Sequence, residues 1–141
     1  MKLTDIVDVA VSGISAQRTR MSTTASNLAN ASSTRTEEGG PYRRRDPVFE
    51  SKAVGGPFGD RLDRHVQAVR VTRVVADDRP PIQRFDPGHP DADAEGFVSM
   101  PNVSPVEELA NMMSAMRSYE ANLLIIRKAR EMADAALQLG R

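Results

Sequence analysis

Proline and glycine are confined almost entirely to the middle of this 141-residue chain. All nine prolines and seven of the nine glycines lie between Ser33 and Pro105. Because both residue types disfavour helix interiors, the two ends are predicted to be helical and the middle to be rich in turns. We therefore predict three segments: an N-terminal helix in residues 1–32, a β- and turn-rich segment in 33–103, and a C-terminal helix in 104–141.

One side of the N-terminal helix is predicted to carry a heptad seam. Its members recur at alternating steps of four and three residues, which places them along one face. Gln17 and Thr24 are polar members, which weaken the seam and are candidates for fixing its register. The helix is expected to end at Asn30 and the Ser32–Thr34 cluster. The seam consists of Leu3, Val7, Ala10, Ile14, Gln17, Met21, Thr24 and Leu28.

The C-terminal helix repeats this pattern more strongly. Ser104 and Glu107 are predicted to form a capping box, with Pro105 at the first helical position and Gly140 as the stop. Further apolar residues, Met113, Leu124 and Ile125, lie off the seam, so this helix is apolar on more than one side. The predicted seam is Leu109, Met112, Met116, Tyr119, Leu123, Ile126, Arg130, Ala133 and Leu137.

Long helices with wide apolar stripes depend on packing for their stability. Two seams at opposite ends of the chain predict that the helices pair as an antiparallel coiled coil. The fold class is then mainly α with a small β insertion. Two interpretations of the extra apolar positions remain open: an intramolecular hairpin alone, or helices that also pack between the subunits of a polymer.

The middle segment is predicted to contain short strands and turns. Alternating apolar and polar residues from Val66 to Val75 suit a half-buried strand. Tyr42 to Phe49 is a second candidate, restricted to a sheet edge by Pro47. The remaining predictions are a turn at Gly55–Pro57, a strand at Ile82–Phe85, and a pairing segment at Phe97–Val98.

Composition excludes several classes of protein. Cysteine is absent, which rules out disulfides, thiolate zinc sites and a thiol nucleophile. Lys+Arg and Asp+Glu both total 19, so no global field indicates nucleic acid as a partner. No apolar run is long enough for a membrane span, and no cleavable signal peptide is recognised at the N-terminus.

Asp91 to Gly96 resembles the first half of a calcium loop, but Asn102 stands where a bidentate Glu belongs. A turn is the preferred interpretation, since Asp and Gly favour turns. His65 and His89 are the only histidines and are assigned to loops or the surface. No metal and no other cofactor is predicted.

Arg43-Arg44-Arg45 is a short basic run. It is interpreted as a solvated loop or as an ion-pair donor between subunits, with nucleic acid as the weaker alternative. Neither the scattered carboxylates nor Ser26 and Ser118 have the sequence context of an active site. The chain is therefore predicted not to be an enzyme and to have no small-molecule substrate.

Three short motifs, in order, resemble the family of flagellar rod, hook and hook-associated axial proteins. The first closes the N-terminal helix, the second precedes the C-terminal helix, and the third lies within it. The stretch from Asp86 to Val98 is similar to that of proximal-rod members of the flagellar basal-body rod family. The motifs are Ala25, Ser26, Asn27, Leu28, Ala29 and Asn30; Met100, Pro101, Asn102 and Val103; and Ser118, Tyr119, Glu120, Ala121 and Asn122.

The resemblance implies a structural subunit of the proximal rod in the bacterial flagellar basal body. It further implies export by the flagellar type III apparatus without signal cleavage, a periplasmic rod location, and terminal helices that polymerise into a hollow, torque-transmitting shaft. Its partners would be copies of itself, other rod proteins, the basal-body ring and the export apparatus. Met113, Leu124 and Ile125 are the candidates for contacts between subunits.

Three alternatives remain at this point. One is a cytoplasmic coiled-coil adaptor or export chaperone, which would form a stable soluble oligomer and would not be secreted. Another is a small hydrolase that helps the rod to cross the cell wall. The third is a different rod subtype, which would share the helices and differ in the middle segment.

Overall fold

The computed structural model describes residues 3–54 and 66–139. Two long helices flank four strands, which confirms the mainly helical class with a small β insertion. The predicted turn at residues 55–57, His65 and the stop at Gly140 lie outside the described residues. The elements are α1 (Leu3–Ala29), β1 (Arg45–Ala53), β2 (Gln67–Ala76), β3 (Ile82–Phe85), β4 (Phe97–Met100) and α2 (Pro105–Leu139).

Both helices begin and end close to the predicted positions. α1 has 27 residues and α2 has 35, so at about 1.5 Å per residue they run roughly 40 and 52 Å. After the last residue of α1, the Asn30 side chain donates to the Ser26 carbonyl at 2.9 Å. Within the described residues, neither helix combines the length and hydrophobicity required to span a membrane.

The N-terminus of α2 carries only half of the predicted capping box. The Glu107 N–H lies 3.4 Å from Ser104 Oγ, and the Glu108 N–H donates to the Ser104 carbonyl at 3.0 Å. Among the hydrogen bonds of the described residues, Glu107 does not return a bond to Ser104. The neighbouring acid, Glu108, turns inward instead and is fully buried.

The middle segment forms two separate antiparallel sheets of two strands each. β1 and β2 pair from Arg45 opposite Ala76 to Ala53 opposite Gln67, with a register shift after Val48. β1 begins later than the predicted Tyr42, because the Tyr42 side chain is buried among residues of the helix ends. This sheet lies on α1, where the Val69 N–H donates to Ser12 Oγ at 3.1 Å.

β3 and β4 pair from Ile82 opposite Met100 to Phe85 opposite Phe97. Within residues 86–96, Asp93 Oδ1 accepts the N–H groups of Glu95 and Phe97 at 2.9 and 2.8 Å. These bonds confirm the predicted turn. No group of three or more His, Asp or Glu side chains within residues 3–54 and 66–139 is arranged to hold a metal ion.

The two helices pack against each other through small and polar residues. On α1 the buried positions are Ala10, Ala16, Thr24 and Asn27. The predicted α1 seam holds, since every member except Leu3 is buried or half-buried. Gln17 Oε1 is buried without a hydrogen-bond partner in the described part of the chain.

The predicted seam of α2 is partly wrong. Its fully buried positions each precede a predicted seam member by one residue, which rotates the packed face by about 100° at those points. Small side chains let the helices approach closely, so they displace the larger neighbours to the exterior. Buried are Glu108, Ala115 and Ala129; exposed are the predicted Leu109, Met116, Arg130 and Leu137; half-buried, as predicted, are Met112, Tyr119, Leu123, Ile126 and Ala133.

Candidate functional site: a buried polar cluster and an exposed helix face

Asn27, from the motif that closes α1, is the centre of a polar cluster at the end of the helix pair. The residue is 1% exposed. Its amide nitrogen donates to the Arg45 carbonyl at 2.8 Å and to Glu108 Oε2 at 3.0 Å. Its amide oxygen accepts the Tyr42 hydroxyl and the Arg45 N–H, both at 2.9 Å. All four hydrogen-bonding positions of the amide are therefore satisfied.

Glu108 and Arg44 complete the polar cluster, which we define as Asn27, Tyr42, Arg44 and Glu108. Arg44 Nε donates to Glu108 Oε1 at 2.7 Å, and Arg44 also pairs with Asp46. Burial lowers the pKa of Arg44, but the hydrogen bonds to Asp46 and Glu108 outweigh this effect and raise the pKa above its ordinary value. The polar cluster thus joins the end of α1, the start of β1 and the start of α2.

Within the arginine run, Arg44 is half-buried, whereas Arg43 and Arg45 are exposed, as expected of a solvated loop. That the run donates ion pairs between subunits stays a prediction. Besides the pairing of Arg44, Arg43 contacts Asp78 at 2.6 Å. The Arg45 guanidinium lies 5.9 Å from the centroid of the Tyr42 ring. All three arginines are engaged within one chain, because the strand that follows them is anchored at the helix ends.

A surface ion pair lies at the same end of this sheet, where the Asp77 N–H donates to the Arg44 carbonyl at 2.7 Å. Arg79 contacts Asp77 Oδ2 at 2.7 Å. The side-chain hydrogen bond from Arg79 lowers the pKa of Asp77, and the same bond raises the pKa of Arg79. These two groups lie at the surface and connect β2 to the following loop.

The other residues of the first motif surround the polar cluster or face outward. Ser26 Oγ lies 3.4 Å from the Tyr42 hydroxyl, and Ser33 donates to Asn30 Oδ1 at 3.1 Å. Leu28 is half-buried, whereas Ala25 and Ala29 are exposed. The motif therefore shapes the end of α1 and its exit into the middle segment.

The second motif connects β4 to α2. Pro101 and Val103 are buried, and Met100 is half-buried. The Asn102 amide donates to the Pro80 carbonyl at 3.2 Å. These contacts fix the position at which α2 begins, and with it the position of Glu108.

The third motif supplies the close approach between the helices. A Cβ built on Gly13 would lie 2.7 Å from Asn122 Nδ2. Of the rest of this motif, Tyr119 and Ser118 are half-buried, and Glu120 and Ala121 are exposed. A side chain at residue 13 would enter the space that the Asn122 amide fills, so the amide would have to shift.

The contacts between the helices follow opposite directions along the two sequences. Asn27 meets Glu108, the Arg20 guanidinium donates to Asn111 Oδ1 at 3.2 Å, and Gly13 meets Asn122. Residue numbers therefore fall along α2 as they rise along α1. Two of the family-like motifs, through Asn27 and Asn122, belong to this contact surface.

Large apolar side chains lie on the outer side of α2. Met113 is 56% exposed and Leu124 is 53% exposed. At 3.6 residues per turn, Met113 lies roughly 160° and Leu124 roughly 180° around the helix from the buried Ala115. We name this surface the apolar stripe: Val106, Leu109, Met113, Met116 and Leu124. Ile125 is also exposed, but it lies about 100° around the helix from Leu124, on the flank that faces Ile6 and Val9 of α1.

Sequence reasoning located Asn27 and Asn122 but missed three members of the polar cluster. Glu107 was assigned to the helix cap, so the adjacent Glu108 was given no role. Arg44 was treated together with Arg43 and Arg45 and was not singled out. No local pattern indicates this pair, because Arg44 and Glu108 are 64 residues apart in the sequence. Tyr42 had no distinguishing pattern in the sequence.

Two family models match the ends of the chain. The model described as "Flagella basal body rod protein" matches residues 8–35. The model described as "Flagellar basal body rod FlgEFG protein C-terminal" matches residues 94–139. The matched ranges contain all three motifs, α1 from Asp8 onward and the whole of α2.

Curated relatives named flagellar basal-body rod protein FlgC match over nearly the whole chain. The protein of Borreliella burgdorferi is 40% identical, over 99% of this chain and 98% of its own length. That of Salmonella typhimurium is 40% identical, over 99% of both chains. That of Bacillus subtilis is 36% identical, over 96% of both.

Proposed function

The chain belongs to the FlgC family of flagellar basal-body rod proteins, and we propose that it polymerises through its terminal helices into the proximal rod. It is a structural subunit of the flagellar rod and not an enzyme. The proposal adds the mode of assembly: a hollow shaft that transmits torque, built from helices that pair as antiparallel coiled coils. The opposite order of the helix contacts and the heptad seam of α1 support that pairing.

The apolar stripe is the observation that carries the assembly proposal. Its side chains lie on the outer face of α2, opposite the face that packs on α1. Exposed apolar surface of this extent marks an interaction site in a water-soluble protein. A repeated contact whose rotation does not close produces a helical tube, as a shaft requires. Met113, Leu124 and Ile125 are therefore assigned to contacts with neighbouring subunits.

The motif residues have a structural role in this proposal. They hold the two helices in a fixed relation, so that the apolar stripe is presented to a neighbour at one defined angle. Residues 1–32 and 104–141 supply the helical layer, and residues 33–103 lie outside it. Copies of this chain, other rod proteins, the basal-body ring and the export apparatus are the proposed partners.

Leu124→Asp tests the assignment of the apolar stripe. In a strain that lacks the wild-type copy, we expect this variant to abolish swimming and to be missing from purified hook–basal bodies. A charge at Leu124 would have to be buried without a partner in the assembled rod. Ser114→Asp, an exposed substitution on the same helix but outside the apolar stripe, should assemble and support swimming.

Normal swimming by the Leu124→Asp strain would remove the apolar stripe from the assembly surface. The tagged wild-type chain must also appear in the basal bodies. A stable oligomer that stays in the cytoplasm would instead favour the adaptor or export chaperone, which the names of the relatives do not support.

Export without cleavage belongs to the same proposal. The rod location is periplasmic, and the flagellar type III apparatus would deliver the intact chain. The intact mass of the protein recovered from basal bodies should therefore equal that of the encoded chain. A mass short of an N-terminal segment would contradict this part of the proposal.

A further inference from the structure

Four of the seven methionines lie on α2, and two of them belong to the apolar stripe. Met113 is 56% exposed and Met116 is 47% exposed. Among the other methionines that the structure describes, Met132 is also exposed. The remaining three are half-buried: Met21, Met100 and Met112. The two methionine side chains of the stripe are therefore open to water in the isolated chain.

The first half of the apolar stripe, within residues 106–116, is free of charge. This stretch contains two acids and no Lys or Arg. Glu107 lies roughly 120° around the helix from Met113, and Glu108 is buried in the polar cluster. Methionine supplies two of the four large apolar side chains that this stretch exposes. Charged residues return on this side beyond the stretch, at Arg117 and Glu120.

The thioether of an accessible methionine reacts with peroxides. A sulfur lone pair attacks one oxygen of hydrogen peroxide, the S–O bond forms and the O–O bond breaks. The hydroxide that leaves takes the proton of the transferred oxygen and becomes water. Sulfur loses two electrons and the peroxide gains them. The product is a sulfoxide, which places a polar hydrogen-bond acceptor where an apolar group stood.

A sulfoxide has different consequences before and after the apolar stripe is covered. In the free chain, Met113 and Met116 face water, so an added oxygen remains solvated and the packing on α1 is not disturbed. Under a neighbouring subunit the same oxygen would lose its water among apolar side chains. Burial of a polar group without a hydrogen bond is unfavourable, so oxidation opposes assembly more than it opposes folding.

We propose that Met113 and Met116 form an oxidation site, and that their conversion to sulfoxides by a peroxide keeps an unassembled chain out of the rod. The inference rests on the proposed function, because it takes the stripe to be covered in the assembled rod. The chain has no cysteine, so methionine carries all of its sulfur. The substrate class is a peroxide that accepts two electrons, and the site is closed to it once assembly is complete.

Met132 is the matched control within the same helix. It is 56% exposed, as Met113 is, but it lies roughly 100° around the helix from Met113 and does not belong to the apolar stripe. Its sulfur should therefore react as fast as that of Met113 in the free chain. Its oxidation should have little effect on assembly.

Peptide mass spectrometry of the purified full-length chain in dilute hydrogen peroxide tests the site itself. Met113, Met116 and Met132 should gain an oxygen several-fold faster than the three half-buried methionines. In purified basal bodies, Met113 and Met116 should react several-fold more slowly than in the free chain. Equal rates for all six methionines, or equal rates before and after assembly, would overturn the proposal.

A peroxide pulse tests the consequence for assembly. The wild-type chain, Met113→Leu/Met116→Leu and Met132→Leu would be expressed during the pulse, in a strain without sulfoxide reductases so that the modification persists. Recovery in basal bodies is compared with that of the same strain without peroxide, so any effect of the substitution itself cancels. We expect recovery of the wild type and of Met132→Leu to fall several-fold. The double variant should keep its recovery, because leucine has a similar volume and no sulfur.

Glutamine substitution provides a second measurement that needs no oxidant. Met113→Gln/Met116→Gln places polar groups in the stripe and should lower recovery several-fold, whereas Met132→Gln should not. Circular dichroism of the purified variants would check that each keeps the helical content of the wild type. Normal recovery of the double glutamine variant would contradict the proposal.

The outcomes separate this inference from the proposed function. If the wild-type chain is found in basal bodies but peroxide lowers recovery of the double leucine variant as strongly, the oxidation that matters lies elsewhere. The inference is then wrong and the rod function stands. If the wild-type chain is missing from basal bodies without any peroxide, both proposals fail.

Discussion

The polar cluster and the apolar stripe reverse the usual distribution of side chains between core and surface. At the start of α2, Glu108 is 0% exposed and contacts Arg44 and Asn27. One residue further, Leu109 faces outward. Charged residues are seldom fully buried unless they are paired, and here the pairing comes entirely from within the chain.

The polar cluster and the apolar stripe therefore have different roles in the molecule. The polar cluster sets the geometry of the helix pair, since each of its hydrogen bonds is directional and requires one arrangement. The apolar stripe adds little to the isolated chain, because its side chains remain in water. The comparison therefore predicts that substitutions in the cluster lower the stability of the free chain, and that substitutions in the stripe lower assembly.

Removal of the buried acid should produce the largest loss of stability. Glu108→Ala would leave the Arg44 guanidinium and one Asn27 N–H without their partner in the interior. Removing one partner of a buried ion pair typically lowers the free energy of unfolding by about 3–5 kcal/mol. Urea unfolding of the purified chain, followed by circular dichroism, would measure this loss as a lower midpoint.

Glu107→Ala is the matched control for this substitution. Glu107 is the same residue type, one position earlier, and it is exposed. Its removal affects only the favourable interaction of an acid with the first turn of a helix, about 0.3–1 kcal/mol. Equal losses for the two variants would show that the polar cluster does not stabilise the helix ends.

The close approach at Gly13 should give the second largest effect. Gly13→Val would place a branched side chain where Asn122 Nδ2 lies and should lower the free energy of unfolding by about 2 kcal/mol. Gly13→Ala should be less damaging, because alanine gains about 1 kcal/mol of helix propensity over glycine. Thermal unfolding of both variants would measure the difference.

Asn122→Ala tests whether the stability lost in Gly13→Ala comes from steric conflict with the Asn122 amide. With the amide removed, Gly13→Ala should become stabilising, since only the gain in helix propensity remains. If Gly13→Ala is equally harmful with and without Asn122, the 2.7 Å approach does not control the position of the helices.

The sequence was sufficient to predict the two helices, three of the four strands and the turn at residues 91–96, whereas the first strand was predicted three residues too early. Asn30 and the Ser104 cap predicted the end of α1 and the start of α2, and alternation predicted β2. For β3 the predicted bounds, Ile82 to Phe85, coincide with the observed ones. These features depend on local backbone preferences, which a single segment of sequence reports directly.

The packed face of α2 could not be predicted in the same way. A heptad pattern selects the largest apolar residues, and on α2 these include Leu109 and Met116, which are exposed. The helix instead turns Ala115 and Ala129 toward α1. Apolar periodicity reports every surface that becomes buried, whether within the chain or against a partner, so it does not distinguish the two.

The smallest effects on stability are expected from substitutions of two adjacent leucines, one on the packed face of α2 and one on its exposed face. Leu123 is half-buried, on a predicted and observed packing position, whereas Leu124 belongs to the apolar stripe. Leu123→Ala should lower the free energy of unfolding of the isolated chain by about 1–2 kcal/mol, less than the 2–5 kcal/mol typical of a fully buried leucine. Leu124→Ala should change it by less than about 0.5 kcal/mol, as most surface substitutions do.

The same two variants should rank in the opposite order when assembly is measured. Leu124→Ala removes contact area that only a neighbouring subunit would bury, so its recovery in basal bodies should fall more than that of Leu123→Ala. If Leu123→Ala is worse by both measurements, the exposed face of α2 has no special role, and assembly depends simply on how well the single chain folds. If the order reverses between the measurements, the outer face of α2 is completed by another molecule, which is what an apolar surface opposite a polar interior requires.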